Sequence, residues 1–373
     1  MSPGMRVAFD ATPLREPRTG VPQTVFELLA ALPGDVELVP FVPSGRALLR
    51  RAQRKPVGLP PGTRLLPVPA RVLLWSWGRS DLPAADRWLG DADVVHGTNF
   101  VVPPMRRRPT TVTIHDCWCA RHPEACQPER AAFTAVVQRA VDRGAWLHVS
   151  TRFMADEVRE IYGAERVEVV PFGVPPVAAA AEEALPPTVG SAPFILALGS
   201  VDRRKALDSL VRAFGLLDQD GRRDGLRLVL AGPDGPGRPE LEAAIDALPS
   251  AAADAVVTLG WVDEAARGAL LARATVLAYP SLYEGFGFPV LEAMAAGVPV
   301  VATAAGAVPE VVGTAAELVP VGDDEALAGA LARVVSDTGL CRSLVTAGRD
   351  RAASFSWERT AAGLVGLWRR LSA

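Results

Sequence analysis

Lysine is almost missing from this chain. Of thirty-nine basic residues only Lys55 and Lys205 are lysines, so each marks a place where a compact point charge suits better than a planar fork. Lys55 falls in a polar loop among arginines; Lys205 does not. An excess of charge is missing as well: the formal net charge is −3, which removes the electrostatic footprint of a nucleic-acid binder. No apolar run reaches the roughly 18–20 residues of a membrane span. Met1-Ser-Pro-Gly-Met-Arg leads straight into a strand pattern, with no secretory leader. These absences set the expectation of a cytoplasmic protein whose four cysteines are reduced. What is present is ordinary for a soluble chain, 49% hydrophobic and 22% charged residues. A length of 373 residues suits two domains better than one core.

Short apolar runs alternate with amphipathic helical patterns throughout, the signature of parallel α/β sheets covered by helices. In the first half, strands are expected at Arg6–Phe9, Val36–Phe41, Val94–His96, Thr110–His115, Trp146–Ser150 and Val167–Pro171, with helices at Gln23–Ala31, Pro128–Arg143 and Arg152–Tyr162. A stretch rich in Pro, Ala and Glu at 176–192 reads as a linker between domains at 1–175 and 193–356. The second half resumes with strands at Phe194–Leu198, Arg227–Ala231, Ala255–Leu259, Thr275–Tyr279 and Val298–Ala302. Its helices fall at Ala206–Leu217, Glu240–Ala247, Glu264–Arg273 and Ala326–Ser336, and an amphipathic helix over Trp357–Ser372 ends the chain.

The densest information lies from Tyr279 to Val301. Glu284 and Glu292 stand eight positions apart around Gly285-Phe-Gly-Phe-Pro. The expected strand ends at Tyr279, Gly285 and Gly287 let the backbone turn tightly, and Pro289 and Gly297 mark the start and stop of a short helix. One carboxylate then sits on the loop at the strand's C-terminal edge and the other in the first helical turn. In open α/β sheets ligands bind at that edge. Backbone amides of the turn and of the helix N-terminus suit a diphosphate, and the two carboxylates suit sugar and ribose hydroxyls. Earlier, Gly199-Ser-Val-Asp-Arg-Arg-Lys205 follows a strand and gathers Arg203, Arg204 and Lys205 at a helix start.

This string resembles the retaining glycosyltransferases of family 4, whose signature is two glutamates separated by seven residues. The resemblance implies a GT-B fold, two Rossmann-like doubly wound parallel-sheet domains facing a cleft, with the helix 357–373 crossing back onto the first domain. By that resemblance Glu284 with the amides of Gly285, Phe286 and Gly287 meets the donor sugar, and Glu292 holds the ribose. Arg204 and Lys205 match the Arg-Lys pair on the donor diphosphate; Ala206 stands where the family often has asparagine. His115 and Asp116 match a His-Asp pair whose histidine bonds the sugar. Gly20, Gly199 and Gly232 match loop glycines near the donor, although Val21-Pro-Gln replaces the Arg-Tyr common after Gly20. The implied reaction is transfer of a hexose-type sugar from a nucleotide diphosphate, GDP-mannose or a UDP-sugar, to a lipid, glycan or small-molecule acceptor. It needs no cofactor and no metal. First-domain loops around 42–90 and 116–130 set the acceptor. Two other classes share these features: a catalytically silent sugar-nucleotide-binding protein, and another GT-B enzyme such as a nucleotide-sugar epimerase. The Glu284…Glu292 string argues against the epimerase, and its coexistence with His115, Arg204 and Lys205 argues against silence.

Three patterns are set aside. His115, Cys117, Cys119, His122 and Cys126 offer soft ligands, but the one-residue gap between Cys117 and Cys119 is atypical of structural zinc sites. Buried or loop thiols are the expectation. Asp91-Ala-Asp93 spells the Asp-x-Asp of metal-dependent transferases yet precedes a strand, where a solvated turn is simpler. Gly285-Phe-Gly lacks the third glycine of a dinucleotide fingerprint. Finally, Arg46, Arg50, Arg51, Arg54 and Lys55, with Arg106–Arg108, form basic clusters. They read first as solvated faces, and otherwise as a weak peripheral contact with the inner face of the cell membrane.

Overall fold

The computed structural model describes residues 5–16, 20–44, 59–177, 184–221 and 225–373. They form two compact units, Met1–Gly173 with Ser356–Ala373, and Val174–Phe355.

The first unit holds seven parallel strands: β1 (Met5–Asp10), β2 (Val36–Pro43), β3 (Arg64–Leu66), β4 (Val94–Gly97), β5 (Thr110–Thr113), β6 (Trp146–Val149) and β7 (Val167–Val169). They lie in the order β3-β2-β1-β4-β5-β6-β7. The central strands are buried on both faces, which is why Val7, Ala8 and Phe9 form an unbroken apolar run rather than an alternation. Helix Trp357–Ser372, capped by Ser356, belongs to this unit. It buries Leu364, Leu367 and Trp368, and the Trp368 ring stands 5.2 Å from His96 of β4. Thr360 Oγ1 donates to Pro171 O at 2.7 Å, and Arg369 and Arg370 pair with Asp35 and Glu168.

The second unit holds six parallel strands: β8 (Phe194–Leu198), β9 (Arg227–Ala231), β10 (Val256–Gly260), β11 (Val276–Tyr279), β12 (Val300–Thr303) and β13 (Glu317–Val319), in the order β10-β9-β8-β11-β12-β13. Its core gathers Ile195, Leu228 and Val276 of the sheet with Phe214 and Leu331 of the covering helices. In each sheet the chain runs outward from its first strand and then returns to pair on the other side of it. The strand order therefore reverses between β1 and β4, and again between β8 and β11. A crevice opens at such a point, at the carboxyl ends of the strands.

Several elements differ from the sequence expectation. Arg203–Lys205 is a separate 3-10 turn, and the helix begins only at Leu207 because Ala206 is left-handed, with φ 47° and ψ 45°. Glu292 is not in a first turn: it is the fifth residue of helix Phe288–Ala296. A long helix, Thr338–Ala353, was not anticipated. Its buried stripe is Leu344, Gly348 and Ala352, a single large apolar side chain followed by two positions too small to register as hydrophobic periodicity. It packs on helix Phe288–Ala296, where a Cβ on Gly348 would come 3.1 Å from Met294 Cγ. The short β3 and β13 and the helix Ala70–Trp77 were likewise absent from the expectation.

Candidate functional site

The loops that leave β8 and β11 flank the reversal in the second sheet and are tied to each other, Leu282 N donating to Arg204 O at 2.7 Å. After β8 the chain passes Gly199 and turns through Arg203–Lys205, with Asp202 accepting from Arg204 N at 3.0 Å. That turn sends the Lys205 side chain inward. Lys205 Nζ donates to Glu284 Oε1 at 2.5 Å and to Tyr279 Oη at 2.9 Å. Arg204 Nη1 reaches Glu284 Oε2 at 3.3 Å and Tyr283 O at 3.4 Å. Glu284, only 5% exposed, is thus held between two cations. Burial pushes its carboxyl up, but the Lys205 and Arg204 charges, with the hydrogen bond from Lys205, outweigh that and hold it at about 2. Burial lowers Lys205, with the Glu284 charge opposing, and lifts Tyr279 well above the ordinary phenol range. Arg203 points elsewhere, to Glu240 at 2.8 Å on the surface.

The backbone of Glu284 has its own support. Ala307 N donates to Glu284 O at 2.8 Å, and Gly306, at φ 56°, lies so close that a Cβ would meet Glu284 O at 2.4 Å. Gly285, Phe286 and Gly287 lead from there to helix Phe288–Ala296, which Gly287 N-caps. The Phe286 ring turns into the protein, 5.0 Å from Phe288 and 5.8 Å from Phe355. One turn into the helix, Glu292 is 2% exposed and pairs with Arg267, whose Nη1 donates to Oε1 at 2.8 Å. Burial raises the Glu292 carboxyl, and Arg267 offsets part of the rise. Gly232, beyond β9, lines up on the same edge: Gly199 N donates to Ala231 O and Gly232 N to Gly260 O.

In the first unit, three strands present polar residues at the matching edge. His115 follows β5 and is half-buried. Its Nε2 faces Thr98 O at 2.9 Å. A carbonyl only accepts, so Nε2 carries the proton and Nδ1 is left as an acceptor. Burial lowers the histidine, against the opposing Thr98 bond and Asp116 charge, which keeps the ring neutral. Phe172 stacks on it at 5.6 Å. Asp116 accepts from Trp118 N at 3.1 Å, a local turn contact. Gly20 heads helix Val21–Ala31 at φ 56° and ψ −121°, a conformation only glycine adopts readily, and a Cβ there would meet nothing within 4 Å. Arg18 and Thr19 lie outside the described residues. Asp10, which ends β1, is buried, and Thr98 Oγ1 donates to its carbonyl at 2.9 Å. Sequence reasoning passed over Asp10, Arg267, Tyr279 and Gly306. For Asp10 the signal existed: it closes the apolar run of β1 as His115 closes that of β5.

The family model described as Glycosyltransferase Family 4 matches residues 18–177, and that described as Glycosyl transferases group 1 matches residues 192–337. A D-inositol 3-phosphate glycosyltransferase of Kineococcus radiotolerans is 31% identical over 327 residues, covering 79% of this chain and 70% of that protein. The chain belongs to glycosyltransferase family 4. An MMP alpha-(1->4)-mannosyltransferase of Mycolicibacterium hassiacum is 43% identical to this glycosyltransferase over 121 residues, 31% of this chain and 29% of that one. The sucrose-phosphate synthase of Thermosynechococcus elongatus superposes with a TM-score of 0.74 at 21% identity, covering 98% of this chain and 99% of its own. The glycosyltransferase therefore has the GT-B fold.

The patterns set aside from the sequence also have structural accounts in this glycosyltransferase. Asp91 takes both Nη atoms of Arg64 at 2.6 Å, with Arg6 adding a third contact. Those bonds, from Arg64 first, pull its carboxyl well below the usual range. Asp93 accepts from Arg6 N at 2.8 Å, so both carboxylates of Asp-x-Asp tie strands together. The expectation of reduced thiols fails: Cys119 and Cys126 form a disulfide across Cα atoms 5.7 Å apart. Helix Trp118–Arg121 and the turn Pro123–Ala125 fold the intervening residues back on themselves and bring the two sulfurs together. Cys117 is buried, and burial with the Asp116 and Glu157 charges drives its thiol upward. Among the described residues no cluster of three or more His, Cys, Asp or Glu is arranged to hold a metal. No described helix is long and apolar enough to cross a membrane. Arg46 to Lys55 lie outside the described residues, while Arg106 and Arg107 bond through their backbone amides to Asp86.

Proposed function

We propose that this glycosyltransferase moves a hexose from a nucleotide diphosphate, GDP-mannose or a UDP-sugar, to a hydroxylated acceptor with retention of configuration and without a metal. The observation that carries the reading is the Arg204–Lys205–Glu284 cluster at the reversal between β8 and β11. Two cations share one carboxylate, so the cluster keeps net positive charge beside a helix N-terminus, the electrostatics that a departing diphosphate needs. Arg204 and Lys205 stabilise the charge that develops on the leaving phosphate. Glu284, ionised, accepts from sugar hydroxyls, and Glu292, oriented by Arg267, accepts from the ribose diol. The Nδ1 atom of His115 is an acceptor for a further sugar hydroxyl. Among the described residues we assign no carboxylate as a covalent nucleophile, and in this reading the acceptor attacks the face that the diphosphate leaves. The relatives named as mannosyl- and inositol-phosphate glycosyltransferases are consistent with a hexose donor and a polyol acceptor.

Thermal melting against UDP, GDP, ADP and dTDP, with and without magnesium, tests this. A selective rise with one nucleotide, independent of magnesium and lost in Glu292→Ala, is expected. With that nucleotide's sugar as donor, Lys205→Ala lowers turnover by ~10²-fold or more. Full turnover in a folded Lys205→Ala variant would sink the assignment.

A further inference from the structure

One buried carboxylate at the edge just described has no part in the donor chemistry. Asp10 is the last residue of β1, beside the β1/β4 reversal, and is 7% exposed. Its Oδ1 accepts from Thr12 N at 2.9 Å and Thr12 Oγ1 at 2.5 Å. Among the described residues no lysine or arginine pairs with it, and burial lifts its carboxyl to about 6 against the two Thr12 bonds. The turn Thr12–Arg15 that it anchors packs on helix Val21–Ala31, the helix headed by Gly20. On the other side, Thr98 bonds the Asp10 carbonyl through its hydroxyl and His115 through its own carbonyl. Asp10, Thr98 and His115 are therefore consecutive neighbours along one sheet edge.

The turn does not require a charge. An asparagine in this position would accept both Thr12 bonds through its amide oxygen, and burying a carboxylate without a cation is costly. The second oxygen is the feature that asparagine would lack.

We propose that Asp10 is a substrate-binding residue whose carboxylate accepts a hydrogen bond from a hydroxyl of a neutral polyol acceptor. The proposal rests on the glycosyltransferase reading above. A carboxylate in this position repels phosphate, so a phosphorylated acceptor directs its phosphate elsewhere and presents a ring hydroxyl here. A hydrogen bond to a charged group is worth about 1.5–3 kcal/mol, which corresponds to roughly 10- to 10²-fold in acceptor affinity.

Asp10→Asn keeps the turn and replaces the second acceptor oxygen, with its charge, by an amide NH2 that only donates. With the donor whose nucleotide raises the melting temperature, transfer is measured to myo-inositol, D-inositol 3-phosphate and methyl α-mannoside. The expected result is an acceptor KM raised by roughly 10- to 10²-fold in Asp10→Asn, with the nucleotide-induced shift equal to that of the wild type. An unchanged acceptor KM overturns the proposal, and so does a nucleotide shift that weakens in step with transfer. Wild-type transfer to none of these probes overturns the acceptor class named here. Absence of any nucleotide shift in the wild type overturns the donor reading instead, so the two failures are told apart.

Discussion

At the scale of the residue, the site depends on a strained alanine. Lys205 reaches Glu284 only because the chain turns sharply after it, and the turn places Ala206 at φ 47°, where an L-residue loses about 1–2 kcal/mol. The family's asparagine tolerates this region; alanine has no compensating bond. Ala206→Gly should relieve the strain and raise the melting temperature of the second unit by ~2–4 °C, with nucleotide binding kept. A variant that melts at or below the wild-type temperature would show that the turn is not left-handed in solution. A lysine suits position 205 because its single ammonium fits among Glu284, Tyr279 Oη and the Tyr279 ring, 4.8 Å from the ring centroid. A guanidinium fork is too wide for that place.

At the scale of the element, Glu284 is positioned by a neighbouring loop as much as by its own. The segment after β12 donates Ala307 N to the Glu284 carbonyl, and Gly306 makes room for it. Gly306→Ala adds a methyl 2.4 Å from that carbonyl at a φ of 56°. Backbone on both sides must shift, at a cost of about 2 kcal/mol or more. The expected outcome is a lowered melting temperature together with loss of the nucleotide-induced shift, read in the same thermal scan. Wild-type behaviour in both would mean that the β12 loop does not hold Glu284. Glu292 is supported differently: helix Thr338–Ala353 packs behind its helix through Gly348, and Arg267 holds its carboxylate from helix Glu264–Arg273.

At the scale of the whole molecule, the first unit buries neutral imidazoles, and the second buries the paired charges of Lys205, Glu284 and Glu292. His96 bonds Thr111, His148 bonds Thr113 and Val170 O, and the Thr113 hydroxyl also faces His96. Burial first, then neighbouring imidazoles, holds His96 well below its ordinary value, and burial holds His148 at about 4. A histidine with a depressed folded pKa stabilises the fold above its unfolded value and loses that contribution as pH falls. The His148 contribution alone should fall by roughly 2 kcal/mol from pH 7 to 5. Asp10 acts the other way. Its folded value near 6 means that the folded chain binds the extra proton, so acidification from 6 towards 4 stabilises the fold. Asp10→Asn removes that opposing contribution, and its first unit should lose stability more steeply than the wild type between pH 6.5 and 4. Melting curves across this range check it; parallel slopes would contradict the Asp10 assignment of protonation.

The alternation of elements and the two parallel-sheet halves were legible in the sequence because each is written locally. Apolar runs of strand length end in glycine or proline, and Glu284, Arg204 and Lys205 sit where those runs stop. Helix Thr338–Ala353 was not legible, because beyond Leu344 its buried face is glycine and alanine, which pack closely without looking hydrophobic. Nor was the disulfide, since the expectation of reduced thiols came from composition, whereas Cys119 meets Cys126 through a helix and a turn that fold the chain back. Which side chains carry charge at the strand ends is set by the order of residues along the chain. Which of them meet is set by the way the strands and helices pack. Lys205 and Glu284 are 79 residues apart along the chain, and Glu292 finds Arg267 across two helices. Those pairings, like the cations that hold Glu284 ionised and the burial that sets the protonation of His148 and Asp10, arise from parallel strands stacking in an order that the linear pattern does not contain.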